Sequence, residues 1–91
     1  MQNQYKESFE QDVLTMEKPP HQIILYNDDV NTFDWVIESL IDVCQHNSMQ
    51  AEQCALIVHY KGKCDVKSGE YDELKPKCSA LLERGLSAEI V

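Results

Sequence analysis

The chain has 91 residues and a formal net charge of −8, with 43% hydrophobic and 26% charged residues. A chain of this length supports one hydrophobic core, so we expect a single small domain. The excess of acidic side chains repels phosphate backbones and anionic membrane surfaces, so we expect no nucleic acid and no membrane among its partners. A basic or amino-bearing partner fits this charge better.

Residues 1–18 mix Gln, Asn, Glu and Lys with isolated apolar residues at no steady period. Because such a composition buries too little apolar surface to offset its ordering entropy, we predict a flexible N-terminal extension over these residues. Pro19 and Pro20 end it. Neither a signal-peptide pattern nor an apolar run of membrane-helix length is visible, which predicts a cytoplasmic protein.

The segment HQIILYN, residues 21–27, is rich in Ile, Leu and Tyr and predicts a buried strand. A helix is predicted from about Thr32 to Cys44, with Asn31 as its N-cap and Asp34 in its first turn. Apolar residues recur along it at helical spacing and predict a core-facing stripe. The members of this stripe are Phe33, Val36, Ile37, Leu40, Ile41 and Cys44.

The second half of the chain predicts a helix capped by Ser48 and ended by Gly62, and then an edge strand over residues 63–67. Ser68 and Gly69 are predicted to turn the chain into a third helix ending near residues 84–85, which Pro76 must kink or split. Residues 86–91 predict a last strand that pairs with the first. The predicted fold is α+β: three helices packed on a small three-stranded antiparallel sheet, in the order β-α-α-β-α-β.

The cysteines Cys44, Cys54, Cys64 and Cys78 occur singly, without a CxxC pattern. In a reducing compartment such residues are typically small core side chains, and no disulfide framework is predicted. Cys44 and His46 give only a weak zinc pattern, so we expect neither a metal nor another cofactor.

Three acceptor side chains follow the first strand directly, in the sequence NDD at Asn27, Asp28 and Asp29. Asn and Asp favour turns and helix starts, which explains Asp29 and Asn31 better than Asn27 and Asp28. The pair could instead point its oxygens into a groove. His59 ends an apolar run on the second helix, where a histidine is either a packing residue or part of a site.

These residues leave several functions open. The first is a binding module with no catalytic role. The second is a small metal-dependent hydrolase using Asp28, Asp29 and His59, although no nucleophile elbow or second histidine ligand is evident. The third is an interaction domain of α+β shape resembling those of the ribosomal stalk, which would need neither Asn27 nor His59.

The stretch ILYNDDVNTFDWVIESL, followed about thirty residues later by ALIVHYKGK, resembles the ClpS family, the N-degron recognition adaptors of Clp AAA+ proteases. The resemblance covers residues 19–91, which it identifies as a ClpS-like adaptor core. It implies a non-enzymatic protein that binds substrates by a free N-terminal Phe, Leu, Tyr or Trp. It also implies delivery of these substrates to the N-terminal domain of a ClpA- or ClpC-type unfoldase.

The resemblance further assigns roles to particular positions. It implies that Asn27, Asp28 and His59 surround the α-amino group of the substrate. It implies docking on the unfoldase by Glu70 and Lys75. The positions that it implies for the hydrophobic pocket are Leu25, Asp29, Asn31, Phe33, Val36, Ala55, Val58 and Leu86.

The chain also departs from the family pattern near this pocket. Asn31-Thr32-Phe33 replaces the Thr-Pro-Met of many relatives, and Ala55 stands where a bulky Met is common. We therefore hypothesise that the pocket is reshaped and admits N-terminal Ile, Val or Trp better than is usual in the family.

Overall fold

The computed structural model describes residues 20–91. The predicted extension over residues 1–18 lies outside this part of the chain. The strands are β1, His21–Tyr26, β2, Lys63–Gly69, and β3, Ser87–Ile90. The helices are α1, Phe33–Cys44, α2, Ser48–Lys61, and α3, Tyr71–Glu83. The observed order confirms the predicted β-α-α-β-α-β arrangement.

The strands form a three-stranded antiparallel sheet in the order β2-β1-β3, so the first strand lies in the middle. Leu25 pairs with Cys64 of β2 on one side and with Ala88 of β3 on the other. The β1–β2 register shifts between Ile23 and Ile24 at a bulge. This pairing confirms that the last strand returns to the first and that β2 is an edge strand. The edge strand is two residues longer than predicted, because Ser68 and Gly69 still pair with β1.

The core lies between one face of the sheet and the three helices. Ile23 and Leu25 of β1 are 0% and 1% exposed. The other apolar side chains of the core come from all three helices and from the remaining two strands, so each element depends on the others for burial. The other members of the buried cluster are Leu40, Val43, Cys44, Ala51, Val58, Val66, Leu74, Cys78, Leu81 and Leu86.

The apolar stripe of α1 is rotated relative to the prediction. Leu40 and Cys44 are buried, but Phe33 and Ile41 are 38% and 36% exposed. Ser39 and Val43 are buried instead. The predicted stripe was therefore wrong at Phe33 and Ile41. Helical periodicity alone does not determine which part of a broad apolar helix face packs against the sheet.

Both predicted helix caps were wrong by one residue. Thr32, and not Asn31, caps α1: its Oγ1 accepts a hydrogen bond from the backbone N–H of Trp35 over 3.0 Å. Asn47, and not Ser48, caps α2, with Oδ1 accepting from the N–H of Gln50 over 2.8 Å. Gly62 ends α2 as predicted, at φ +94°, in the left-handed region that favours glycine.

Helix α3 continues through Pro76 as a single element, so of the two predicted alternatives, a kink or a split, the split does not occur. Its N-cap, Glu70, directly follows Gly69, and Glu73 Oε1 accepts a hydrogen bond from the N–H of Glu70 over 3.1 Å. A Cβ at Gly69 would lie 2.7 Å from that oxygen, so glycine permits this close approach. In the described part of the chain, no helix has the length and apolar character needed to cross a membrane.

Candidate functional site

The end of β1 meets the end of α2. The backbone N–H of Asn27 donates to the carbonyl oxygen of Gly62 over 2.9 Å, and the N–H of Gly62 donates to Val58 O over 2.9 Å. These bonds hold the first residue of the NDD loop, residues 27–31, beside the last turn of α2. His59 lies on that turn, so the two motifs of the sequence meet in space.

An open hollow of about 560 Å³ lies between this loop, the first turns of α1 and the C-terminal half of α2. Its lining is polar toward the loop and apolar toward the helices. The residues that line it are Asn27, Asp28, Asp29, Asn31, Phe33, Val36, Ala55, Leu56, Val58, His59 and Tyr60. A volume of this size is typical of clefts that bury most of a small ligand.

The structure brings together all three residues predicted for the amino group and most of those predicted for the pocket. Leu25 and Leu86 are the exceptions, because they lie beneath the hollow. They are 1% and 4% exposed and line a separate small cavity of about 20 Å³ together with Val36 and Val58. These leucines therefore support the inner wall of the hollow.

Asp28 organises the NDD loop. Its Oδ1 accepts hydrogen bonds from the backbone N–H of Val30 over 2.9 Å and from that of Asn31 over 2.8 Å. The backbone N–H of Asn31 is the main cause that lowers the pKa of Asp28 below 3.8, with further help from the Asn31 side chain and the Val30 N–H. The carboxylate is therefore charged near neutral pH and fixed in direction.

Asn31 connects this loop to the turn between α3 and β3. Its Nδ2 donates to Asp28 Oδ2 over 2.8 Å and to the carbonyl oxygen of Gly85 over 2.9 Å. Gly85 adopts φ +86° and precedes Leu86, one of the leucines beneath the hollow. Asn31 thus joins the polar rim of the hollow to its base, which is a different role from the cap predicted for it.

The Asn27 and His59 side chains are exposed at the rim. Among residues 20–91, neither the Asn27 carboxamide nor the His59 imidazole forms a hydrogen bond within the chain. The His59 ring packs nearly perpendicular to the neighbouring Tyr60 ring, at 4.8 Å between centroids. Both groups can therefore bond a ligand without breaking a hydrogen bond to another residue of this described range.

Two apolar residues of the rim, Leu56 and Tyr60, were missed by the sequence reasoning. They are 42% and 76% exposed and lie one helical turn apart on α2. Each directly follows a predicted site residue, Ala55 or His59. Leu56 and Tyr60 have the same i, i+4 spacing as Ala55 and His59. This spacing places them next to the predicted residues on the helix surface and could have identified them.

The two residues predicted to dock on an unfoldase lie away from the hollow. Glu70 is the N-cap of α3 and Lys75 lies in its second turn; both are exposed. They lie where β2 leads into α3, and neither of them lines the hollow.

The weak zinc pattern at Cys44 and His46 has another structural explanation. His46 is 5% exposed, and its Nε2 lies 2.7 Å from the carbonyl oxygen of Val66. Burial raises the pKa of the Cys44 thiol to about 11. Within residues 20–91, no cluster of three or more His, Cys, Asp or Glu side chains is arranged to hold a metal ion.

Comparison with known proteins identifies one family. Residues 16–89 match the model of the family described as ATP-dependent Clp protease adaptor protein ClpS. The chain is 33% identical over 82 residues to an ATP-dependent Clp protease adapter protein ClpS of Corynebacterium aurimucosum, a match covering 90% of this chain and 74% of that protein. A relative of the same description from Acetivibrio thermocellus is 41% identical over 64 residues, covering 70% and 64% of the two chains.

The fold also matches a solved structure, that of Agrobacterium tumefaciens ClpS2 bound to L-phenylalaninamide. The TM-score is 0.73 at 21% identity, and the match covers 82% of this chain and 98% of that one. At this identity the likeness establishes the shared architecture of helices and sheet.

Proposed function

This chain belongs to the ClpS family of Clp protease adaptor proteins, and from that premise we propose that it binds substrates by a free, bulky hydrophobic N-terminal residue. It then delivers them to a Clp unfoldase for degradation. The observation that carries this proposal is the meeting of Asn27, Asp28 and His59 at the rim of a hollow with apolar walls.

The rim has the chemistry that an α-ammonium group requires. An ammonium group has three donors and no acceptor, so it needs convergent acceptor atoms. Asn27 offers an amide oxygen, Asp28 a fixed carboxylate, and His59 the lone pair of a neutral imidazole. Asp28 Oδ1 accepts two backbone hydrogen bonds and Oδ2 accepts one from the Asn31 side chain, so Oδ2 has the greater remaining capacity to accept from the ligand, directly or through a water molecule.

The walls have the chemistry that a large apolar side chain requires. Ala55 and Val58 are 3% and 4% exposed at the inner wall, and Phe33 and Val36 of α1 line the same hollow. L-Phenylalaninamide, the ligand in the Agrobacterium structure, carries both a free amino group and an aromatic side chain. That ligand supports the same substrate class for this chain.

The energies are sufficient for a transient adaptor. Hydrogen bonds to a charged group contribute roughly 1.5–3 kcal/mol each. Burial of a large apolar side chain contributes about 1.5–3 kcal/mol more. After the cost of association, we expect a binding free energy of about −8 kcal/mol, which corresponds to a dissociation constant in the low micromolar range.

A titration with matched peptides tests this proposal. A peptide starting with Phe should bind, and the same peptide with an acetylated N-terminus should not. Acetylation removes the charge and two donors, so it leaves the acceptors of the rim unpaired. Equal affinity for the two peptides would contradict recognition of the free amino group.

The partner that receives the substrate is, in this proposal, the N-terminal domain of a ClpA- or ClpC-type unfoldase, bound through the face around Glu70 and Lys75. The adaptor acts in the cytoplasm and catalyses no reaction itself. Substrates start with Phe, Leu, Tyr or Trp, and the small Ala55 extends the range to Ile and Val.

A further inference from the structure

The hollow continues past the part that the first substrate residue occupies. Leu56 and Tyr60 line it on the outer side of α2, whereas Ala55 and Val58 line its inner wall. The first two are 42% and 76% exposed, the other two 3% and 4%. The helix therefore presents an inner pair of residues and an outer apolar ridge, Leu56 and Tyr60, to the same opening.

We propose that this ridge is a second subsite, which binds the side chain of the third residue of the substrate when that side chain is apolar. The inference rests on the proposed function, because it places the substrate by its amino group at Asn27 and His59. It goes beyond that function by making affinity depend on a residue other than the first.

The geometry of an extended chain selects the third residue. Successive side chains of an extended peptide point in opposite directions, so the first and third face the same surface while the second faces solvent. The first and third Cα atoms are separated by roughly 6.5–7 Å along the chain. Leu56 and Tyr60, four residues apart, are separated by about 6 Å along the helix axis, so the ridge is long enough to contact one leucine-sized side chain.

The position of Tyr60 supports the same direction of the bound chain. Its ring contacts the edge of the His59 ring at 4.8 Å between centroids, so the ridge begins beside the proposed amino-group site. The charged carboxylates of Asp28 and Asp29 line the hollow from the NDD loop and not from α2. A chain that leaves over α2 thus moves its apolar side chains away from charged groups and onto apolar ones.

Calorimetric titrations with three peptides test the proposal: Phe-Gly-Gly, Phe-Gly-Leu and Phe-Leu-Gly, each followed by the same polar tail. Phe-Gly-Leu should bind about fivefold more tightly than Phe-Gly-Gly, as expected for partial burial of one leucine side chain. Phe-Leu-Gly should bind like Phe-Gly-Gly. A gain at the second position in place of the third would overturn the proposal.

The variants Leu56→Ser and Tyr60→Ser should each reduce the ratio of the affinities for Phe-Gly-Leu and Phe-Gly-Gly to nearly one. Ile57→Ser is the matched control, because Ile57 has the same 42% exposure on the same helix but does not line the hollow. It should keep the full preference. If all three variants keep the preference, or if the ridge variants change only self-association in sedimentation experiments, the subsite does not exist.

The same titrations separate this inference from the proposed function. Amine-dependent binding of Phe-Gly-Gly with no effect of the third residue overturns only the subsite. No binding of any Phe-starting peptide overturns both.

Discussion

The side-chain amide of Asn31 donates a hydrogen bond to the carbonyl oxygen of Gly85 over 2.9 Å, across 54 positions of sequence. The same nitrogen donates to Asp28 Oδ2 over 2.8 Å. One side chain therefore fixes the NDD loop both internally and against the turn that leads to Leu86. The shape of the proposed amino-group site depends on this connection.

Replacing Asn31 by Ala should lower the free energy of unfolding by about 1–2 kcal/mol, because two hydrogen bonds worth about 1 kcal/mol each are lost. Urea denaturation measures the change. Asn27→Ala is the matched control: it removes the same amide from the same loop, but that amide forms no hydrogen bond within residues 20–91. Asn27→Ala should leave stability unchanged and weaken peptide binding. A stable Asn31→Ala variant would contradict the bridging role.

Asp28 predicts a pH-dependent contribution to stability. Its pKa is lowered in the folded protein, chiefly by the N–H of Asn31, so the unfolded chain binds the proton more readily. The stabilisation is therefore complete above the unfolded value, near the ordinary 3.8, and is lost as pH falls through the lower folded value. Asp28→Asn should be less stable than the wild type at pH 7, on the order of 1 kcal/mol.

Urea denaturation of both proteins across the acid range measures this difference. It should shrink as the pH falls below the ordinary carboxyl pKa of 3.8, because Asp28 of the unfolded wild-type chain then binds a proton that folded Asp28 binds only at lower pH. Asp29→Asn is the control, since the exposed Asp29 carboxylate forms no hydrogen bond within the described residues. A wild-type advantage over Asp28→Asn that is constant at all pH values would contradict the assignment.

The sequence predicted the elements better than the contacts between them. Strands and helices were recognised because their apolar residues repeat with the periods of buried surfaces, and Gly62 ended α2 because its backbone needs a positive φ. The cap of α1 was misplaced by one residue. Asn31 is as good a capping residue as Thr32, and its actual partner, Gly85, is distant in sequence.

The candidate site was predictable as a set of residues but not as a shape. The NDD motif and His59 were found from their local sequence, and the strand and helix that carry them converge through one backbone bond, Asn27 N to Gly62 O. The depth of Leu25 and the exposure of Leu56 depend on how α2 is rotated against the sheet. That rotation is set by packing of the whole core, which no local pattern encodes.

His59 predicts a loss of affinity without a loss of stability. Its side chain is exposed at the rim of the hollow. His59→Ala should therefore weaken binding of a Phe-starting peptide by about tenfold, as expected for the loss of one hydrogen bond to a charged group. Urea denaturation should show an unchanged free energy of unfolding. Equal affinity of the variant and the wild type would remove His59 from the site.

Ala55 predicts the range of first residues. It lines the inner wall at 3% exposure, so the hollow beside it is wider than one narrowed by a methionine at the same position. Peptides starting with Ile should therefore bind less than about 100-fold more weakly than Phe-starting ones, a difference below about 2.7 kcal/mol. A larger difference would show that the hollow rejects β-branched side chains.

The variant Ala55→Met tests the cause of this range. Its larger side chain should extend into the hollow and weaken binding of Ile- and Trp-starting peptides by about tenfold, because close-packed walls do not accommodate added volume without strain. Leu-starting peptides should lose less. Gln53→Met is the control, since Gln53 is an exposed residue of the same helix that does not line the hollow. If Gln53→Met shifts the preference equally, the effect arises from the helix as a whole and not from the volume beside Ala55.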